Sequence, residues 1–168
     1  MLEQDDMDLG VSVFPQGPSW QRNEHLKMIN YRCVYDGKRL GLPSPLSLEE
    51  YLAYPHLVTP PKTEFHGVID DELIGKRMSR NILYSTPLLA ALPFILKKAD
   101  VIATVPEQAA QFWSEAFGLT SSTVPVSIAP FALSMIRHAK RDDDQGLQWL
   151  MNIVRSLVKG EMGGEGEV

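Results

Sequence analysis

Residues 100–118 read DVIATVPEQAAQFWSEAFG. The β-branched run Val101–Val105 reads as a strand, Pro106 opens a helix, and Gly118 is a natural C-cap, so the stretch is one strand-to-helix unit. Within that helix Ala109, Phe112, Trp113, Ala116 and Phe117 form one apolar stripe. The same alternation extends upstream. His56–Thr59 (HLVT) is a short strand, Phe65–Ile74 a helix stopped by Gly75, and Arg80–Tyr84 (RNILY) another strand. Thr86 caps a helix with Pro87 at its first position. That helix, through Lys98, is apolar nearly all round and therefore expected to be largely buried, with a kink at Pro93. Strand and helix alternating across residues 56–128 predict an α/β fold with a mostly parallel sheet.

Further out, Leu9–Phe14 (LGVSVF) and Leu26–Tyr35 (LKMINYRCVY) read as strands, ended by Pro15-Gln16-Gly17-Pro18 and by Asp36-Gly37. Leu40–Pro45 is loop. Ser47-Leu48-Glu49-Glu50 fits a capping box, with Ser47 at N-cap and Glu50 at N3, and Pro55 ends that helix near Tyr54. Thr123–Ile128 and Phe131–Ile136 are extended. A last helix runs from Asp142 to Val158, its first turn carrying Asp142, Asp143 and Asp144, where the macrodipole favours anions. Its apolar face is Leu147, Leu150, Ile153, Val154 and Leu157. Residues 159–168 read as a flexible tail.

The composition is that of an ordinary globular chain: 168 residues, 44% hydrophobic, 22% charged. A net charge of −5 opposes nucleic acid and anionic membrane as partners. A single cysteine, Cys33, excludes an intramolecular disulfide and a multi-cysteine metal site. No apolar run is long enough to span a membrane, and the acidic start lacks the features of a signal peptide, so the cytoplasm is the expected compartment.

Catalytic signatures are missing from the sequence. His25, His56, His66 and His138 have no metal-ligand spacing, and there is no nucleophile elbow, phosphate loop or dinucleotide fingerprint. A small hydrolase or transferase using His66, Asp70 or Asp71 would lack a nucleophile–base pair. Cys33, in an apolar strand, reads as a core thiol. The three aspartates read as a helix-capping, solvated run rather than a metal site, and Lys97-Lys98 as partners of a helix C-terminus. His66 lies where a strand gives way to a helix, the end of an open α/β sheet at which ligands sit. Helix capping or a surface position is the other reading of it.

Four segments, in order, carry a family resemblance. Met7-Asp8-Leu9-Gly10-Val11 resembles the "lDlgi" strand of LysR-type transcriptional regulators, and Ser47–His56 (SLEEYLAYPH) their "sLeeylayPH" segment. Asp100–Pro106 (DVIATVP) resembles "dliatvP". Ser134-Met135-Ile136 with His138, then Gln148-Trp149-Leu150, resembles the closing "sMiWH…WLr". The likeness covers residues 1–158. The last segment is most similar to the branch that senses aromatic acids and nodulation flavonoids. The resemblance implies a two-lobed α/β effector domain of the periplasmic-binding-protein (type 2) kind, without catalysis, cofactor or metal. Lobe I would hold residues 1–29 and 128–158 and lobe II residues 30–127, with crossings near Asn30–Tyr35 and Val124–Ser127. A small effector, aromatic or carboxylate, would bind in the inter-lobe cleft, against Pro60, His66, Gln108, Leu133 and Ser134. A homodimer is also implied, with the stripe of helix 107–117 as the subunit contact.

The sequence departs from the family in several places. The N-terminal helix-turn-helix of relatives has no counterpart here, so the chain is expected to bind no DNA itself and to have an incomplete first lobe with exposed sheet edges, as a truncated product or one with a miscalled start. Gln108 stands where the aromatic-acid branch has an arginine that matters for induction. Glutamine can hydrogen-bond a carboxylate but supplies neither charge nor a bidentate fork. Arg137 replaces the usual tryptophan before His138, and Asp36–Leu40 replaces a common His-Pro. A changed ligand preference follows. A stand-alone small-molecule-binding or protein-interaction module without a transcriptional role is the alternative function.

Overall fold

The computed structural model describes residues 7–14, 17–59 and 64–160, with the side chains of 64–68 left out of the description. The chain divides into two compact units, Met1–Ile29 with Phe131–Val168, and Asn30–Pro130.

The contiguous unit holds a five-stranded sheet in the order β5-β4-β6-β3-β7. Its strands are β3 (Tyr31–Tyr35), β4 (His56–Val58), β5 (Ile82–Ser85), β6 (Ile102–Pro106) and β7 (Thr120–Thr123). β4 runs parallel to β5 and β6, whereas β3 runs antiparallel to β6 and β7. The expected mostly parallel sheet is therefore mixed: the βαβ crossovers of 56–106 give parallel neighbours, but β3 reaches β6 from outside that alternation. Both faces of its inner strands are covered, as parallel pairing demands, whereas the edge strand β5 is exposed along its length. On one face Val34, Leu57, Ala103 and Val105 pack against Leu92 and Leu96 of α4 (Leu92–Leu96) and Ala110 and Trp113 of α5 (Glu107–Phe117). On the other, Cys33, Tyr35 and Ile102 pack against Leu46 and against Tyr51 of α2 (Leu48–Ala53). α3 (Glu64–Gly75) adds Ile69 and Leu73 against Val126.

Local signals account for most of the helix ends. Ser47 and Glu50 form the expected capping box: Glu50 N–H donates to Ser47 Oγ at 3.1 Å and Ser47 N–H to Glu50 Oε2 at 2.7 Å. Gly118 ends α5 in the left-handed region at φ 61°. α3 ends differently from expectation. The left-handed residue is Arg77, at φ 58°, with Met78 N–H donating to Leu73 O and Arg77 N–H to Ile74 O, a Schellman closure without glycine. A short α1 (Gly37–Leu40) starts at Asp36, whose carboxylate accepts from Arg39 N–H at 3.2 Å and from Lys97 Nζ at 2.6 Å. Lys97 thus serves a buried partner, not only a helix dipole. The expected helix 86–98 is a 3₁₀ turn, Leu89–Ala91, followed by the five-residue α4 with Pro93 at its start. It is not buried all round, since Leu88 and Phe94 are 65% and 62% exposed. The inward face of α5 is Ala110 and Trp113; Phe112 faces solvent. β7 precedes the extended stretch expected at 123–128.

The other unit is a three-stranded antiparallel sheet, β1-β8-β2, of β1 (Leu9–Ser12), β2 (Gln21–Ile29) and β8 (Phe131–His138). The stretch expected as one strand, Leu26–Tyr35, is divided at Asn30 between the two units, because β2 pairs with β8 and β3 with β6 and β7. α6 (Gln145–Lys159) lays Leu147 and Met151 on Met135, with Leu9, Leu26 and Val154 around them. The aspartates that precede α6 have separate tasks. Asp142 takes Arg22 and Arg137 at 3.0 Å each, and Asp144 is the N-cap, accepting from Leu147 N–H at 3.0 Å. Asp144 is thus the helix cap expected of the run, whereas Asp142 is ion-paired. Arg155 on α6 grips Glu24 on β2 with two bonds of 2.6 and 2.8 Å. Lys159 belongs to α6, and the tail expected from there on lies, after Gly160, outside the described residues.

Candidate functional site

The five residues proposed from sequence lie on four segments. Pro60 lies outside the described residues, and His66 falls within α3, four residues before Asp70. Gln108 is the second residue of α5 and exposed. Leu133 and Ser134 are consecutive in β8, Leu133 half-buried and Ser134 buried, with Ser134 paired to Ser12 and His25. Consecutive strand residues point to opposite faces. Leu133 shares the face of Met135, the one α6 covers, and Ser134 that of Ile136, so the two cannot offer both side chains to one ligand from one face.

The contiguous unit has hollows of its own beside Gln108. One, of about 280 Å³, is lined by Asn30, Tyr31, Arg32, Glu107, Val124 and Val126 among others. Another, of about 340 Å³, lies along α5 and shares Arg32 and Glu107 with it. Glu107 is held there by Asn30: its N–H donates to Asn30 O at 2.9 Å, and its carboxylate accepts from Asn30 Nδ2 at 3.3 Å. Arg32 Nε donates to Ser121 Oγ at 3.3 Å. Gln108 itself lines neither hollow.

Sequence reasoning missed a buried polar cluster under α3. The Arg80 side chain is 1% exposed and donates from Nε and Nη2 to the two oxygens of Asp70, at 2.7 and 3.1 Å. Its Nη1 reaches the Tyr51 hydroxyl at 3.4 Å, and that hydroxyl lies 3.0 Å from Thr104 Oγ1. His56 Nε2 lies 2.9 Å from Tyr51 O and its ring packs edge-on to Tyr51, while Nδ1 is buried without a hydrogen-bond partner. With Nε2 as the donor to the carbonyl, Nδ1 carries the lone pair. Burial, reinforced by the Arg80 charge, pushes the His56 imidazole down to about 4, and burial pushes the Cys33 thiol and the Tyr51 phenol each up to about 12. At neutral pH the cluster offers a neutral imidazole, a thiol and a phenol but no nucleophile. Cys33 is the core thiol expected of it, fully buried. Among the described residues no group of three His, Cys, Asp or Glu side chains could hold a metal ion.

With fold and site in place, comparison with known proteins defines the class. The family model "LysR substrate binding domain" matches residues 1–159, and the chain belongs to that family. The fold is accordingly α/β, of the two-lobed periplasmic-binding-protein-like kind, and the family is not enzymatic. Among relatives, the HTH-type transcriptional activator NahR of Pseudomonas putida is 29% identical over 156 residues, covering 93% of this chain and 52% of its own length. NagR of a Ralstonia species, also an HTH-type transcriptional activator, is 28% identical over 156 residues, again 93% and 52%. The chain thus spans about half the length of these relatives. The regulatory domain of MexT, a transcriptional activator in Pseudomonas aeruginosa, superposes with a TM-score of 0.76 at 26% identity, over 92% of this chain and 74% of that one.

Proposed function

We propose that this chain is the effector-sensing part of a LysR-type transcriptional regulator and binds a small effector, aromatic or carboxylate. The family match across residues 1–159 is the observation that carries the reading. Lobe I is assigned residues 1–29 and 128–158, and lobe II residues 30–127. Pro60, His66 and Gln108 of lobe II and Leu133 and Ser134 of lobe I are the proposed contacts, one of the two strand residues through its side chain and the other through its backbone. Exposure of Gln108 at the head of α5 supports its part, because a free amide there can donate to a carboxylate. A net charge of −5 supports a chain that senses rather than one that grips DNA. No helix among the described residues is long and apolar enough to cross a membrane. The cytoplasm and a homodimer complete the proposal, the latter checked by the mass in light scattering.

Thermal unfolding with benzoate and with salicylate tests the reading. Ligand at a hundredfold excess over Kd adds about 2.7 kcal/mol, a rise of several degrees in the midpoint. Gln108→Arg exchanges a neutral donor for a charged fork and should tighten binding by about tenfold. If neither acid moves the midpoint at millimolar concentration, the proposed effector class is wrong. If Gln108→Arg leaves the affinity unchanged, Gln108 is no contact.

A further inference from the structure

Among the described side chains of α3, Ile69 and Leu73 are the fully buried ones, against Val126 with Leu48, Leu52, Val124 and Ile128 around them. α5 faces a far larger cluster that includes Trp113, Leu92, Leu96 and Val105. Apolar contact is non-directional, so it sets the orientation of a helix less sharply than a hydrogen-bonded fork does. The polar tether of α3 is of another kind. Arg80 and Asp70 meet fork to fork, a geometry satisfied at one distance and one orientation only. The Arg80 end cannot follow a moving helix. It is buried and tied to Tyr51, whose hydroxyl lies against Thr104 on the central strand β6. Well-packed apolar residues often stabilise a fold as well as a buried ion pair does, so stability alone gives little reason for one here. Directional hold on a helix does give a reason.

Resting on the reading above, in which the start of α3 contacts the effector, we propose that Asp70 and Arg80 are positioning residues for effector recognition. Their paired bonds fix where α3 lies, and so which effector shapes its first turn accepts. His66 is one turn ahead of Asp70, so a roll or slide released at Asp70 is carried to it almost undiminished. A binding constellation tolerates displacements of only about half an ångström before selectivity degrades.

The test uses the full chain with Arg80→Met, which keeps an apolar stem, and Asp70→Asn, which keeps the shape. Hydrogen exchange of the unliganded protein is read at the amides of 69–75 and, as an internal reference, of α5. Midpoint shifts with benzoate and salicylate are then compared. The expected result is exchange at least tenfold faster in α3 with α5 within twofold of wild type, together with a benzoate-to-salicylate affinity ratio changed at least fivefold. Loosening of α3 and α5 alike in Arg80→Met reveals a merely structural pair and overturns the proposal. So does an unchanged ratio in a variant whose α3 has loosened, or an α3 that does not loosen. A wild type that neither acid stabilises overturns the effector reading and this proposal together, a pattern distinct from a responsive wild type with an equally selective Arg80→Met.

Discussion

Acidification should unfasten the contiguous unit through His56. The imidazole is fully buried, and burial with the nearby Arg80 charge lowers it from 6.5 to about 4. In the unfolded chain it recovers its ordinary value, so the unfolded state binds the extra proton first as pH falls. A group lowered in this way subtracts nothing above the unfolded value and destabilises progressively below it, until the folded value is passed. The gap of roughly 2.5 pH units is worth about 3.4 kcal/mol once both states are protonated, and about 2 kcal/mol has already been lost near pH 5. Denaturant unfolding at about pH 7 and pH 5 measures this, followed by Trp113, the tryptophan buried in this unit, with Trp20 and Trp149 replaced by Phe. His56→Gln supplies the reference: its amide can keep donating to Tyr51 O but has no proton to gain. The variant should lose about 2 kcal/mol less than wild type over the same interval, every other titrating group being common to both. Equal losses would refute the reasoning, for His56 would then be protonated without cost in the folded state.

Two further expectations concern helix ends. Arg77→Gly removes a side chain from the left-handed position that closes α3, φ 58°, and should raise stability by about 1 kcal/mol in denaturant titration; a lower midpoint would show that the Arg77 side chain contributes more than its backbone costs. Among the three aspartates, Asp144→Ala should cost about 1 kcal/mol as a lost N-cap, whereas Asp143→Ala, at an exposed position, should stay within about 0.5 kcal/mol of wild type. Equal effects at the two positions would contradict the division of labour seen before α6.

Where a structure is decided within a few residues, the sequence was a sufficient guide. The capping box at Ser47 and Glu50 and the glycine that ends α5 are local matters, and both stand where they were expected. Partners distant in sequence were not legible. LKMINYRCVY has no internal mark of a break, yet strands more than 70 residues further on divide it at Asn30. Phe112 joined the apolar stripe of its helix on hydrophobicity, but the rotation of α5 is set by Trp113 and Ala110 meeting β3 and β6. The helix stop at Arg77 breaks the glycine rule and so gave no signal. As for the candidate site, the helix that carries Gln108 and the strand that carries Ser134 were legible from local pattern. Asp70 and Arg80 stand ten residues apart across a helix end and a turn, a spacing that matches no periodicity.

The bond between Glu24 and Arg155 spans 131 residues, because the three-stranded unit is made from both ends of the described chain. During synthesis this reverses the usual order of maturation. Of the described strands, a nascent chain grown as far as Pro130 holds all five of the contiguous unit, but of the other unit β1 and β2, which pair with β8 and not with each other. The contiguous unit can therefore close while the chain is still on the ribosome, and the other must wait for its last segment. A stop codon or a protease cut between Pro130 and Phe131 would spare the first and deprive β1 and β2 of the strand that joins them.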